Sequence, residues 1–208
     1  MEANSTFTPI LLPDDAQLRT RLAWWITQIG SPPVLGITGA VVIGVGINTP
    51  MGWWQTGLYA VLTLLLPVVY ILWLLRRGDV SDFHLRRREE RIKPMRMSLI
   101  TAVFGWGILA LLVAPPLLLA MAVANLVQAF LYFVITLRWK ISIHAAVASA
   151  LAVLTWHIWG VLALPVMVSV PLIAWSRIHL RRHTVAQTVA GTAVGAAILM
   201  LSLLLHGA

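Results

Sequence analysis

The sequence has very little charge for its length. Only 11% of its 208 residues are charged, whereas about a quarter would be charged in a soluble domain, and 60% are hydrophobic. This composition excludes an ordinary soluble fold and indicates an integral membrane protein of one domain. Because cysteine is absent, disulfides are excluded as well. Residues 1–17 are polar and lack a basic region before a short apolar core, so we expect no cleaved signal peptide.

Acidic residues are scarcer than basic ones, and the net charge is +8. Nearly all of the cations flank apolar segments, in four groups at residues 19–21, 76–96, 138–140 and 177–182. Cations at such positions are explained by membrane topology and by anionic lipid headgroups. We therefore expect membrane lipids, and not nucleic acid, as partners.

The apolar runs predict an all-α polytopic membrane bundle of six to seven transmembrane helices. Residues 18–31 predict an interfacial amphipathic helix that ends at Pro32-Pro33, so residues 1–33 form an N-terminal segment and residues 34–208 a single transmembrane domain. Spans are predicted at 34–47, 57–75, 98–115, 117–137, 142–159, 160–175 and 184–205.

These seven spans place every Lys and Arg on one side of the membrane. The other side receives the uncharged turns at 48–55, 115–116 and 159–160 and the C-terminal tail. The positive-inside rule then predicts that the N-terminus and the basic loops are cytoplasmic and that the C-terminus lies on the opposite side.

Three polar stretches, at 86–94, 142–144 and 176–183, are separated by even numbers of spans and so share one membrane face. Ser142 stands where a helix N-cap would, two residues before His144, and His183 opens the last predicted helix. Two helix N-termini would direct N–H groups toward one region, which favours an anion there.

The same stretches supply groups suited to phosphate chemistry. Arg177, Lys93 and the arginines at 86–88 can donate charge-assisted hydrogen bonds to phosphate oxygens. One histidine can attack phosphorus while the other protonates the leaving oxygen, because imidazole changes its protonation near neutral pH. The pattern predicts a phosphate site at the basic face.

The order and spacing of these residues resemble the type 2 phosphatidic acid phosphatase (PAP2) superfamily of membrane phosphatases. That family carries Lys-x6-Arg-Pro, then Pro-Ser-Gly-His, then Ser-Arg-x5-His-x3-Asp. The corresponding segments here are Arg86-x6-Lys93-Pro94, Ile141-Ser142-Ile143-His144 and Ser176-Arg177-x5-His183-x3-Gln187. The resemblance covers roughly residues 57–205.

The resemblance implies a role for each matched residue. His183 is implied as the nucleophile that forms a phosphohistidine, and His144 as the general acid. No metal or other cofactor is implied. The residues implied to bind the phosphate of an anionic or phosphorylated lipid substrate are Arg177, Lys93, Arg86, Ser142 and Ser176.

The two cations of the first motif are exchanged relative to the family pattern, and two further departures bear on catalysis. Gln187 replaces an aspartate, and because it lies four residues after His183 on one helix face, its amide oxygen can orient the imidazole without adding charge. Ile143 replaces a glycine, which puts a β-branched side chain where the backbone would approach phosphate.

The leading hypothesis is metal-independent hydrolysis of a lipid phosphate or diphosphate of isoprenoid or phosphatidate type. One alternative is a non-catalytic relative that binds anionic lipid or acts as a subunit, in a homo-oligomer or a larger membrane complex. Gln187 and Ile143 favour that alternative, whereas the pairing of His144 with His183 opposes it. Another alternative is a lipid-phosphate transferase that uses the same phosphohistidine with a different acceptor.

Ordinary structural roles are expected for several other polar positions. Arg91 is expected to be solvated, and Asp79 and Asp82 to cap a helix or pair with nearby arginines, not to bind metal and diphosphate as in membrane prenyltransferases. The run 181–183 is alternatively a simple charge cap on the following helix. Gly191 and Gly195 form a GxxxG pattern that predicts close helix packing within the bundle.

Overall fold

A computed structural model describes residues 18–83, 85 and 87–207. Every regular element in these ranges is helical, which confirms the predicted all-α class. The α-helices are α1 (Leu18–Ile29), α2 (Pro32–Ile47), α3 (Pro50–Ala60), α4 (Leu66–Arg76), α5 (Ile92–Leu111), α6 (Pro116–Thr136), α7 (Ile143–Trp159), α8 (Leu164–His179) and α9 (Val185–His206). A π-helical turn at Val61–Leu65 joins α3 to α4, and 3₁₀ turns at Glu89–Arg91 and Gly160–Ala163 precede α5 and α8.

The chain is a multi-pass membrane protein. Among the residues that the structure describes, five helical stretches are long and apolar enough to cross a membrane: Pro50–Arg76, Glu89–Leu111, Pro116–Thr136, Ile143–His179 and Val185–His206. A sixth is added if α1 and α2, which meet at 48°, are counted as one broken span. The Ile143–His179 stretch folds back at Gly160, whose φ is +56°, so that α7 and α8 pack against each other as a hairpin.

Two helices begin earlier than the sequence pattern predicts. The predicted turn at 48–55 is wrong, because α3 begins at Pro50 and the Thr49 side chain accepts a hydrogen bond from the Gly52 N–H at 3.1 Å. Helix α5 begins at Ile92 and not near residue 98, so Lys93 lies in its first turn. A charged residue is compatible with that turn because the Lys93 side chain is half-exposed and its ammonium pairs with Asp79 at 3.4 Å.

Helix α7 lies at the centre of the bundle and packs against α2, α8 and α9. Its buried face is rich in alanine, which allows neighbouring backbones to approach closely. On α9, Gly191 faces the Ser142 carbonyl and Gly195 faces the Ala146 carbonyl. The predicted role of the GxxxG pattern in packing within the bundle is therefore confirmed.

The basic segments meet at one end of the bundle, which is called the basic end below. Hydrogen bonds that join these segments include Thr20–His179 (3.3 Å), Arg88 to the Leu137 carbonyl (3.0 Å), Arg91 to the Ile141 carbonyl (3.3 Å) and the Ser142 N–H to the Gln187 carbonyl (3.2 Å). An ion pair joins Lys93 to Asp79 at 3.4 Å. These contacts connect the start of α1 to the end of α8, and bring the ends of α4 and α6 beside the starts of α5, α7 and α9.

Candidate functional site

His183 and Gln187 form a hydrogen-bonded pair at the start of α9. The Thr184 hydroxyl accepts a hydrogen bond from the Gln187 N–H at 3.3 Å, and the Gln187 Oε1 accepts one from the Thr184 N–H at 3.3 Å, which is a reciprocal capping box. The same Oε1 lies 3.0 Å from the His183 Nδ1. The amide predicted to orient the imidazole does so, and the helix cap holds that amide in place.

This arrangement fixes which nitrogen of His183 carries the proton. The Thr184 N–H points at one atom of the Gln187 amide, so that atom must be the acceptor oxygen. An acceptor oxygen 3.0 Å from Nδ1 requires a proton on Nδ1. In the neutral imidazole, the lone pair then lies on Nε2, which is the form needed for nucleophilic attack.

His144 lies in the first turn of α7, and its position is coupled to that of His183. The Ser142 hydroxyl caps α7 by accepting a hydrogen bond from the Ala145 N–H at 3.4 Å. The Ser142 N–H donates to the Gln187 carbonyl at 3.2 Å, so the starts of α7 and α9 are directly joined. His144 and His183 are both buried, at 7% and 6% exposure, and both line one cavity.

Buried cations surround this pair. Arg177, in the last turn of α8, is 2% exposed, and its carbonyl accepts hydrogen bonds from the N–H groups of Arg182 (2.9 Å) and His183 (3.2 Å). Arg91 is 5% exposed; its Nε donates to the Leu85 carbonyl at 2.8 Å and its Nη1 to the Ile141 carbonyl at 3.3 Å. The prediction that Arg91 is solvated is therefore wrong.

Burial, and after it the neighbouring positive charges, lower the pKa values of two loop residues at the basic end. The pKa of His183 is lowered from 6.5 to about 3, first by burial and then by the charges of Arg177, Arg91 and Lys140, although the Gln187 hydrogen bond opposes the shift. The pKa of Lys140 is lowered by burial and by neighbouring cations. His183 is therefore neutral at pH 7, and the region has an excess of positive charge that an anion would compensate.

The cavity beside the histidines has a volume of about 300 Å³ and runs from the basic end into the bundle. Its polar lining at the basic end consists of Arg91, His144, His183 and Ser98. Farther in, the walls are mainly apolar and come from α2, α3, α4, α6, α7 and α9. A ligand that matches both parts has an anionic head and an apolar body.

The structure separates the sequence-predicted site residues into distinct groups. His144 and His183 line the cavity, and Gln187 and Arg177 contact His183 or the loop that carries it. The other predicted residues have different surroundings. The Ser142 hydroxyl caps α7, and the Ser176 hydroxyl forms hydrogen bonds with the Thr27 hydroxyl and the Ile173 carbonyl. Lys93 pairs with Asp79 and does not line the cavity, and Arg86 lies outside the described residues.

Arg91 is the functional candidate that the sequence analysis missed. The cavity is lined by Arg91, Pro94, Met95 and Ser98, which are spaced i, i+3, i+4 and i+7. That spacing describes one face of a helix, and Lys93 lies off it. Extending the helical periodicity back from Ser98 would have identified Arg91 as the cation on the cavity face.

Asp79 forms an ion pair, as expected, but its partner is Lys93 and not one of the nearby arginines. Ile143, which stands where the PAP2 motif that the sequence resembles has a glycine, also lines the cavity, so its side chain occupies space at the basic end. No family model, curated protein or solved structure matches the chain.

Proposed function

We propose that the chain is a membrane phosphatase that hydrolyses a lipid phosphate or diphosphate through a phosphohistidine on His183. One observation carries the proposal: His144 and His183, 39 positions apart in sequence, line the same cavity together with the buried Arg91. The neutral state of His183 and the hydrogen bond that leaves its Nε2 unprotonated support the role of nucleophile.

The proposed reaction consists of two displacement steps at phosphorus. In the first, the Nε2 lone pair of His183 forms a bond to phosphorus as the bond between phosphorus and the ester oxygen breaks, and protonated His144 gives its proton to that oxygen to release an alcohol. In the second, neutral His144 takes a proton from water, whose oxygen attacks phosphorus and breaks the N–P bond to release inorganic phosphate. Arg91 and the nearby charge of Arg177 stabilise the phosphate oxygens.

A role in binding anionic lipid without turnover is the second candidate. It is favoured by Gln187, since an amide supplies no negative charge to stabilise the imidazolium that forms when Nε2 bonds to phosphorus. It is also favoured by the Ile143 side chain at the basic end of the cavity.

The test is phosphate release from lipid monophosphates and diphosphates by the purified full chain in detergent. We expect release that is abolished in His183→Ala and reduced by at least about a hundredfold in His144→Ala, since general acid–base catalysis typically contributes 10²–10⁴-fold. His179→Ala is the matched control, because His179 is exposed, stacks on Trp175 and lies outside the cavity lining. Lipid binding without any release would establish the non-catalytic role instead.

A further inference from the structure

We propose that Glu90 is a positioning residue for the phosphate site. It fastens the chain between α4 and α5 so that a carbonyl of that chain holds the Arg91 guanidinium at the cavity. The inference rests on the proposed function for the role of Arg91, and it adds the residue that sets the orientation of this cation. Hydrogen bonds on two sides of the 3₁₀ turn Glu89–Arg91 carry it.

The Arg91 guanidinium is held from two directions by backbone carbonyls. Its Nε donates to the Leu85 carbonyl at 2.8 Å and its Nη1 to the Ile141 carbonyl at 3.3 Å. An arginine side chain has five N–H groups, so these two bonds do not use three of them. Because Arg91 lines the cavity, a guanidinium fixed in advance binds an anion there without first losing its rotamer freedom.

The two carbonyls differ in how they are fixed. Ile141 is fully buried, so packing holds its carbonyl in place. Leu85 belongs to the chain between α4 and α5, and its φ of +49° lies in the left-handed region that a bulky apolar residue rarely adopts. Such a conformation persists only where the surroundings hold it. The Leu85 carbonyl therefore depends on other contacts of this chain.

A turn at Asp82 supplies the first of these contacts. The Leu85 N–H donates to the Asp82 carbonyl at 3.1 Å, and the side chains of Phe83 and Leu85 line the cavity beside Arg91. The hydrogen bond fixes the shape of the turn, but not its position against the start of α5. A link from the turn to α5 is still required.

Glu90 provides that link. Its Oε2 accepts two hydrogen bonds from Ser81, one from the N–H at 3.2 Å and one from the hydroxyl at 2.9 Å. Ser81 directly precedes the turn at Asp82, and Glu90 directly precedes Arg91. The carboxylate therefore joins the turn that carries the Leu85 carbonyl to the residue beside the guanidinium that this carbonyl holds.

The ion pair between Asp79 and Lys93 has no such role. Asp79 lies at the end of α4, where its N–H donates to the Leu74 carbonyl at 3.0 Å. That hydrogen bond places Asp79 whether or not Lys93 is present. The position of the turn is thus expected to depend on Glu90 and not on Lys93.

Glu90 acts on the phosphate only through Arg91. Among the described residues, Arg91 lines the cavity and Glu90 does not. Successive residues of a 3₁₀ helix point about 120° apart, so Glu90 reaches Ser81 while Arg91 reaches the cavity. The charge of a carboxylate by itself opposes binding of an anion. A positioning role and a charge effect therefore predict changes of opposite sign when the carboxylate is removed.

The first experiment measures equilibrium binding of radiolabelled hexadecyl phosphate to the full chain in phosphatidylcholine nanodiscs, with hexadecanol as the uncharged ligand. In Glu90→Ala, we expect the phosphate to bind about three- to tenfold more weakly, as for the loss of a hydrogen bond, and hexadecanol to bind as before. Glu90→Gln keeps an acceptor oxygen at the same reach, so its phosphate affinity should be within about twofold of the wild type.

Glu89→Ala is the matched control. Glu89 lies in the same turn, is 72% exposed and pairs with Arg88 at 3.5 Å, so its removal takes away the same charge without affecting Ser81. Its phosphate affinity should stay the same or rise slightly. A folded Glu90→Ala protein that binds hexadecyl phosphate as tightly as Glu89→Ala would overturn the positioning role and leave the lipid-phosphate function standing. A wild type that binds hexadecyl phosphate no more tightly than hexadecanol would overturn the phosphate site itself.

The second experiment combines Glu90→Ala with Arg91→Gln. Because Glu90 acts through the guanidinium, the double variant should bind hexadecyl phosphate as weakly as Arg91→Gln alone. Thermal unfolding verifies that each variant is folded. A further loss in the double variant, equal to the loss in Glu90→Ala alone, would show that Glu90 affects the site by another route and would contradict the inference, whether or not any phosphate is released.

Discussion

At the scale of single residues, the site depends on which cations face the cavity. Lys93 stands where the PAP2 motif that the sequence resembles has an arginine, but its side chain is half-exposed and its ammonium pairs with Asp79. Arg91, two residues earlier, is buried at the cavity wall, and backbone carbonyls of two other segments hold its guanidinium. A helix turns about 200° in two residues, so two neighbouring cations in one motif have opposite surroundings.

Arg91→Gln should therefore weaken binding of an alkyl phosphate, whereas Lys93→Gln should not. A hydrogen bond to a charged group contributes about 1.5–3 kcal/mol, so the expected loss for Arg91→Gln is about ten- to a hundredfold in affinity. Binding of radiolabelled hexadecyl phosphate to each variant in phosphatidylcholine nanodiscs measures this difference, with thermal unfolding to verify that each variant is folded. Equal losses in the two folded variants would show that Arg91 has no special position at the phosphate.

The effect of Gln187 on catalysis can also be tested with a single substitution. Gln187→Glu preserves side-chain length and the capping box, and places a negative charge about where Oε1 now lies, 3.0 Å from the His183 Nδ1. A carboxylate there raises the pKa of His183 and stabilises the imidazolium that forms on attack. Loss of the carboxylate partner of a catalytic histidine in serine proteases costs about 10⁴-fold, so we expect phosphate release to rise by at least tenfold.

Phosphate-release rates of the wild type, Gln187→Glu and Gln187→Glu with His183→Ala are compared at pH 7. The added His183→Ala change should abolish the gain, because the carboxylate acts through the imidazole. A folded Gln187→Glu protein that binds lipid phosphate but releases none would count against catalysis and leave lipid binding as the function.

At the scale of helices, the starts of α7 and α9 carry the two histidines, and close packing aligns them. Gly195 lies against the Ala146 carbonyl and the Ser149 hydroxyl, so a methyl group has no space there. We expect Gly195→Ala to destabilise the protein by about 1–3 kcal/mol through overpacking, and to weaken alkyl phosphate binding because His144 and His183 move apart.

Thermal unfolding in detergent measures this effect, with Gly107→Ala as the control. Gly107 is also a mid-helix glycine, but nothing lies near its added methyl group, so its replacement should be neutral or mildly stabilising. Equal stability of the two variants would show that the α7–α9 contact is looser than the structure indicates.

Much of the helical architecture could be predicted from the sequence, because long apolar runs, prolines and uncharged turns mark spans directly. The start of α5 could not be predicted, because the predicted span begins only after the charged residues. The helix itself includes Lys93, whose side chain reaches from the first turn of α5 to Asp79. The oriented His183–Gln187 pair followed from i, i+4 spacing. The burial of Arg91 did not, because it depends on carbonyls of Leu85 and Ile141 that only the folded chain brings near.

At the scale of the whole molecule, the concentration of cations at the basic end predicts how the bundle is oriented in the membrane. The described cationic loops meet there, and the turn between α7 and α8 and the start of α3 lie at the other end, near Leu162 and Met51. The positive-inside rule predicts that the basic end, with the opening to the phosphate site, is cytoplasmic. A lipid phosphate would then reach the site from the cytoplasmic leaflet.

Single cysteines test this orientation cleanly, because the chain contains none of its own. Arg87, Leu162 and Met51 have exposed side chains, so each can be replaced by cysteine without disturbing the core. In intact cells, a membrane-impermeant maleimide should label Leu162→Cys and Met51→Cys, and should label Arg87→Cys only after the membrane is permeabilised. Labelling of Arg87→Cys and Leu162→Cys from the same side would mean that the α7–α8 hairpin does not cross the membrane. If only Arg87→Cys were labelled in intact cells, the bundle would have the opposite orientation. The proposed phosphate site would then face the outer leaflet, because the basic segments are joined to one another at the same end of the bundle.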